Sequence, residues 1–133
     1  MKIIEKKKVY VAFDGKEFDE MYECEAYEEE CKDKLLNEIE HTAEGFAPCD
    51  GCYRYDENTY TWYRPNSKKD LAVLNDIIED CTFDETLIGS WVCVETDESG
   101  SSWLTTVEQC IVYVEMLFEK LGYEVSITKK EEK

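Results

Sequence analysis

Residues 19–40, DEMYECEAYEEECKDKLLNEIE, constrain the fold more than any other stretch of the chain. Met21, Cys24, Tyr27, Cys31, Leu35 and Ile39 recur at three- and four-residue steps, the period of one face of a helix. Asp19, Glu23, Glu29, Glu30, Asp33 and Glu40 project from the other side. A helix built this way can give one face to a core and must leave a row of carboxylates in water. Asp19 is placed to cap it, and acids in its first turn suit the positive end of the helix dipole. Glu28 falls inside the apolar stripe, so it sits at an edge or has a partner.

The remaining elements follow from shorter patterns. Val9–Phe13 alternates and is rich in strand formers; Asp14-Gly15 is a favoured two-residue turn, and Lys16–Phe18 is the return strand. After a loop at Phe46–Cys52, Tyr53–Tyr55 and Thr59–Tyr63 flank Asp56–Asn58, which predicts a second hairpin. Ser67 with Asp70 is a weak capping box for a short helix carrying Leu71, Leu74, Ile77, Ile78 and Cys81. Trp91–Val94 predicts a central strand and Asp97–Gly100 a turn. Thr105 with Glu108 predicts the cap of the clearest helix, in which Val107, Cys110, Ile111, Val114, Leu117, Phe118 and Leu121 keep the helical repeat. Val112, Tyr113 and Met116 widen its apolar arc, which predicts cover on two sides. Gly122 ends it, and Tyr123–Thr128 alternates as a last strand. The order predicts one α+β domain over residues 1–133, a mainly antiparallel sheet with three helices packed on it, and free ends at 1–8 and 129–133.

Charge narrows the function classes. The chain has 32 acidic and 15 basic residues, a net charge of −17. That balance repels phosphates, so it argues against direct binding to nucleic acid or an anionic membrane and favours a basic protein partner. Residues 70–119 contain 12 acids and no Lys or Arg, so the acidity belongs to the folded body and not to a tail. The opening MKIIEKKK has no apolar stretch suited to a signal peptide, and the seven cysteines are an odd number. Both point to a reducing cytoplasm with thiols used as small hydrophobes.

Catalytic signatures are weak. Cys49-Asp-Gly-Cys52 has the spacing for two metal thiolates or a redox pair, and His41 is the one imidazole in the chain. A zinc site would need Cys49, Cys52, His41 and one more cysteine, with Cys24 or Cys31 nearest; a second CxxC is absent. Any pair of carboxylates reads more simply as solvated surface charge than as a general acid and base. The aromatics Tyr53, Tyr55, Tyr60, Trp62 and Tyr63 lack the basic groove that a single-strand platform needs. The expectation is a protein that is not an enzyme and holds no cofactor.

The segments KVYVAFDGKEFDEMYECEAYE, YTWYRPNSKKDLAVLN, WVCVETDESG and LFEKLGYEVSI resemble small acidic proteins of phages and mobile elements of Gram-positive bacteria. The resemblance covers most of the chain and rests on structural motifs. It implies a phage or mobile-element origin and a small size; phage proteins this small and acidic include inhibitors of host defence such as anti-CRISPR and anti-restriction proteins, and the expected place of action is the host cytoplasm. Carboxylates on several elements can imitate the field of DNA toward a nuclease with a Lys/Arg-lined channel. The expected partner-binding residues are Asp19, Glu23, Glu29, Glu30 and Asp33, with Asp97 and Glu98 as a second patch. The alternatives are a small structural-zinc domain using Cys49 and Cys52, or an accessory domain that self-associates through its Tyr/Trp hairpin.

Overall fold

Of the described residues in the strand-forming run that begins at Val9, Tyr10 and Val11 enter regular structure. In the computed structural model, which describes residues 8–12 and 15–130, β1 (Tyr10–Val11) pairs antiparallel with β2 (Glu17–Phe18). The amides of Ala12 and Gly15 donate to Lys16 O and Ala12 O, each at 2.9 Å, and close the turn. Phe13 and Asp14, expected in the strand and the turn, lie outside the described residues. Helix α1 (Met21–Glu38) follows. Its first bond runs from the Cys24 amide to Glu20 O at 3.3 Å, so the helix starts from Glu20, one residue after the expected Asp19.

The hairpin packs on this helix through Phe18 and Tyr27, whose ring centres are 5.1 Å apart. The Lys16 ammonium lies 4.5 Å from the Tyr27 ring centre, a cation–π contact. The apolar stripe is only partly enclosed. Cys24 is the buried residue of α1, Tyr27, Cys31 and Leu35 are half-buried, and Met21 is exposed. Glu28 has a partner: its Oε1 accepts from the Cys24 thiol at 3.5 Å.

The chain divides into two compact units, Met1–Glu38 and Ile39–Lys133. The second unit holds β3 (Glu40–His41), β4 (Thr59–Arg64), α2 (Lys68–Ile77), β5 (Val92–Thr96), β6 (Ser102–Thr106) and α3 (Val107–Lys120). Its sheet runs in the order β3-β4-β5-β6, every pair antiparallel. The class is therefore α+β with a mainly antiparallel sheet, as the element pattern predicts. Register puts Trp62, Cys93 and Thr105 in one cross-strand row and Tyr60, Glu95 and Trp103 in the next, on one face; Tyr63, Val92 and Thr106 lie on the other. Val92 through Glu95 are all buried, and β5 is one of the two interior strands of the sheet.

Ser67 caps α2, its Oγ accepting from the Asp70 amide at 3.2 Å; Asp70 in turn accepts from the Asn66 amide, one residue before the expected position. Leu71 and Leu74 are the buried face of α2. The Asn75 side chain bonds the Phe83 backbone in both directions, at 2.9 and 2.7 Å, and fixes the chain beyond the helix.

Several expectations fail here for local reasons. Tyr53–Tyr55 is not a strand; Tyr53 is 79% exposed, and Arg54 between the tyrosines is drawn to carboxylates and not to a ladder. The predicted second hairpin is absent, and β4 pairs with β3 and β5. Ser102–Thr106 is a strand where only a helix start was expected, because the Asp97–Gly100 turn is a hairpin turn feeding β6. The capping box moves one residue: Thr106 Oγ1 accepts from the Gln109 amide at 3.2 Å, and Gln109 Oε1 accepts from the Thr106 amide at 2.8 Å. Thr105 is buried in the sheet. Gly122 ends α3 as predicted, at φ 88°; its amide donates to Glu119 O and that of Tyr123 to Phe118 O. Tyr123–Thr128 forms no strand. Finally, α3 is not covered on two sides: none of its residues is buried, and Val112 is 63% exposed.

Candidate functional site

Four of the expected partner-binding carboxylates, Glu23, Glu29, Glu30 and Asp33, lie on α1 and are exposed. At about 100° per residue they fall within roughly one-third of the helix circumference. Asp19 is exposed and precedes the helix. The row is not purely anionic. Lys32 Nζ lies 3.7 Å from Glu29, and Lys34 stands four residues beyond Glu30 on the same side.

The second patch divides. Glu98 is exposed at the β5–β6 turn, whereas Asp97 organises that turn. Asp97 Oδ1 accepts from the Ser99 hydroxyl at 2.7 Å and from the Ser99 and Ser101 amides at 3.0 Å each. These bonds, the Ser99 side chain's first, hold its carboxyl below the usual range.

The Cys49–Cys52 loop does something its spacing alone does not reveal. Both thiols are exposed and free, and the residue between them that matters is Asp50. Its Oδ1 accepts from Arg54 at 2.5 Å and from the Cys52 amide at 3.1 Å. Partial burial works against ionisation of Asp50, but these bonds outweigh it and the carboxyl sits below its ordinary value. Arg54 Nε also lies 3.2 Å from Oε1 of Glu95, which is 1% exposed in β5. Glu95 Oε2 accepts from Asn58 Nδ2 at 2.7 Å. Asp50, Arg54, Glu95 and Asn58 thus form one polar chain that fastens residues 50–58 onto the sheet.

Arg54 Nε and Glu95 Oε1 face each other without a well-formed hydrogen bond, so the pair is bound by charge more than by geometry. Nearby, burial pushes the Cys93 thiol up to about 12, which leaves it a packing group and not a nucleophile. The signal for this anchor in the sequence was an acid at Glu95, an inward position of an otherwise apolar strand.

His41, the remaining metal candidate, is on β3, with Nδ1 2.7 Å from Ile39 O and its ring 6.3 Å from that of Tyr63. Among the described residues, no group of three or more His, Cys, Asp or Glu side chains is arranged to hold a metal ion, so the fold does not gather Cys49, Cys52 and His41 into a site.

Hollows formed by described residues lie in the second unit. One, of about 430 Å³, is bordered by Trp91, Val107, Ile111, Ile127 and Lys129. Another, of about 530 Å³, runs between the Cys49–Cys52 loop and α3. Among the described residues, no helix is long and apolar enough to cross a membrane. Neither a protein-family model, nor a curated protein, nor a solved structure matches the chain.

Proposed function

We propose that this is a non-enzymatic protein that binds and blocks a basic, nucleic-acid-handling protein by presenting carboxylates where that protein expects phosphates. A nuclease of a host defence system, such as a CRISPR nuclease, is its sharpest version, acting in the cytoplasm of a host cell invaded by a phage or mobile element. The observation that carries the reading is the exposed row Glu23, Glu29, Glu30 and Asp33 on one side of α1, in a chain of net charge −17.

The spacing supports it in magnitude. At 1.5 Å rise per residue the row is about 15 Å long. One DNA strand presents a phosphate about every 3.4 Å of axis, so roughly four over that length. The four acids match that number, but Lys32 and Lys34 offset part of their charge, so the acids of other elements would have to supply the rest of the field.

A cleavage assay tests this. Duplex DNA, a guide-loaded CRISPR nuclease and increasing amounts of the protein are combined at about 50 and about 200 mM salt. Wild type should protect the DNA, more strongly at low salt. Simultaneous reversal of Glu23, Glu29, Glu30 and Asp33 to Lys should lift the protection. Protection that survives those reversals and ignores salt would contradict charge imitation, and its complete absence would remove the nuclease as the target.

A further inference from the structure

We propose that the groove between the Cys49–Cys52 loop and α3 docks an arginine-bearing segment of the basic partner, so that binding gains a point of specificity beyond diffuse charge; this rests on the basic-partner reading above. The floor of the groove is apolar: Val112, Tyr113 and Met116 of α3, with Val112 63% and Met116 45% exposed. Its margins carry Asp50, Glu108 and Gln109. No Lys or Arg lines it, and none occurs between residues 70 and 119.

The groove is preformed. Gly51 has φ +83°, and a Cβ added there would lie 2.5 Å from the Tyr113 ring, so the loop rests directly on the floor. The Asp50–Arg54–Glu95 chain holds the loop down from behind. With two carboxylates against one guanidinium, that chain keeps a formal excess of one negative charge.

An arginine fits each part of this surface. Its aliphatic stem covers Val112 and Met116, and its fork of donors meets Glu108 at the margin, with Asp50 adding to the negative field. A purely apolar segment would desolvate Glu108 without pairing it. A second copy of this chain would bring acid against acid. Buried arginine anchors are also among the commonest interface hot spots.

The probe is a hexapeptide of alternating leucine and arginine, titrated into the ¹⁵N-labelled full chain. A citrulline peptide replaces each guanidinium by a neutral isostere. Shifts should concentrate at Gly51, Gln109, Val112, Tyr113 and Met116. The citrulline peptide should bind at least about tenfold more weakly. Val112→Lys, at a solvent-facing position, should weaken the arginine peptide by a similar factor with an unchanged circular dichroism spectrum.

No shifts at millimolar peptide would overturn the proposal. So would equal affinity for citrulline, which means apolar contact alone, or shifts spread over the α1 acids and unaffected by Val112→Lys, which means charge alone. The two readings fail separately. If α1 reversals abolish partner capture and Val112→Lys does not, the groove inference falls and the basic-partner reading stands. If neither matters, both fall.

Discussion

α1 and α3 are the two longest helices among the described residues, and in them burial does not follow apolar content. α1 is crowded with acids, yet it buries Cys24 and half-buries Tyr27, Cys31 and Leu35. α3 is the more apolar by far, yet none of its residues is fully buried; Val107, Cys110, Ile111, Tyr113 and Val114 are half-buried. The difference lies in how each is held. α1 packs against its hairpin along a side-chain face, through Phe18 and Tyr27. α3 is capped by the Thr106–Gln109 box at its start and closed by the glycine stop at Gly122, and it meets the Cys49–Cys52 loop at Tyr113. Its outward side keeps Val112 and Met116 in water. Periodicity reports which residues share a face; it does not report whether anything covers that face. An uncovered apolar face is the usual mark of an interaction surface.

The comparison breaks first at the anchor beneath the loop that walls the α3 groove. Arg54→Ala leaves the carboxylate of Glu95 buried without its cation and should destabilise the second unit by about 3–5 kcal/mol in urea denaturation. A loss below about 1 kcal/mol would mean that the pair is not a fastening. The same anchor carries a pH dependence. The folded Asp50 carboxyl is held below its unfolded value near 4, so its contribution is whole above that value and disappears as pH falls through the lower, folded one. Asp50→Asn should therefore cost stability at pH 7 and progressively less below about pH 4.

A smaller effect belongs to the root of α3. Thr106→Ala removes the acceptor for the Gln109 amide and should cost about 1 kcal/mol, whereas Thr105→Ala perturbs a buried sheet residue and should not change helix content. Equal loss of helix signal in both would place the cap at the wrong residue. The smallest effect is expected at the exposed face itself. Val112→Lys should alter stability by no more than about 0.5 kcal/mol, because the side chain is already in water. A loss of about 2 kcal/mol would mean that something covers this face in solution and would erase the contrast with α1.

Much of the fold was legible in residues 59–64, 68–77, 92–94 and 107–122, where the patterns are long or bounded by Pro65, Ser67 and Gly122. What was missed was decided at a distance. Tyr53–Tyr55 looks like a strand locally, but Arg54 answers to Glu95, a partner 41 positions later that no local window contains. The strand β6 hides in SWLTT because Thr105 with Glu108 resembles a capping box, and only pairing with β5 reveals it. The carboxylates of α1 were readable one by one. The groove was not, since Asp50 and Met116 meet only after the loop folds onto α3.

Affinity capture from a bacterial lysate, with bound proteins identified by mass spectrometry, tests the central claim most directly. Three baits are compared: wild type, the fourfold α1 reversal, and a control in which the exposed Glu57, Glu79, Glu85 and Glu124, outside both expected patches, are reversed instead, so that both variants carry the same net charge. Wild type and the control should retain a common basic nucleic-acid-binding protein that the α1 variant loses. Equal capture by the two variants would show that total charge, and not the row on α1, governs binding, and would contradict the assignment of this helix as the partner surface.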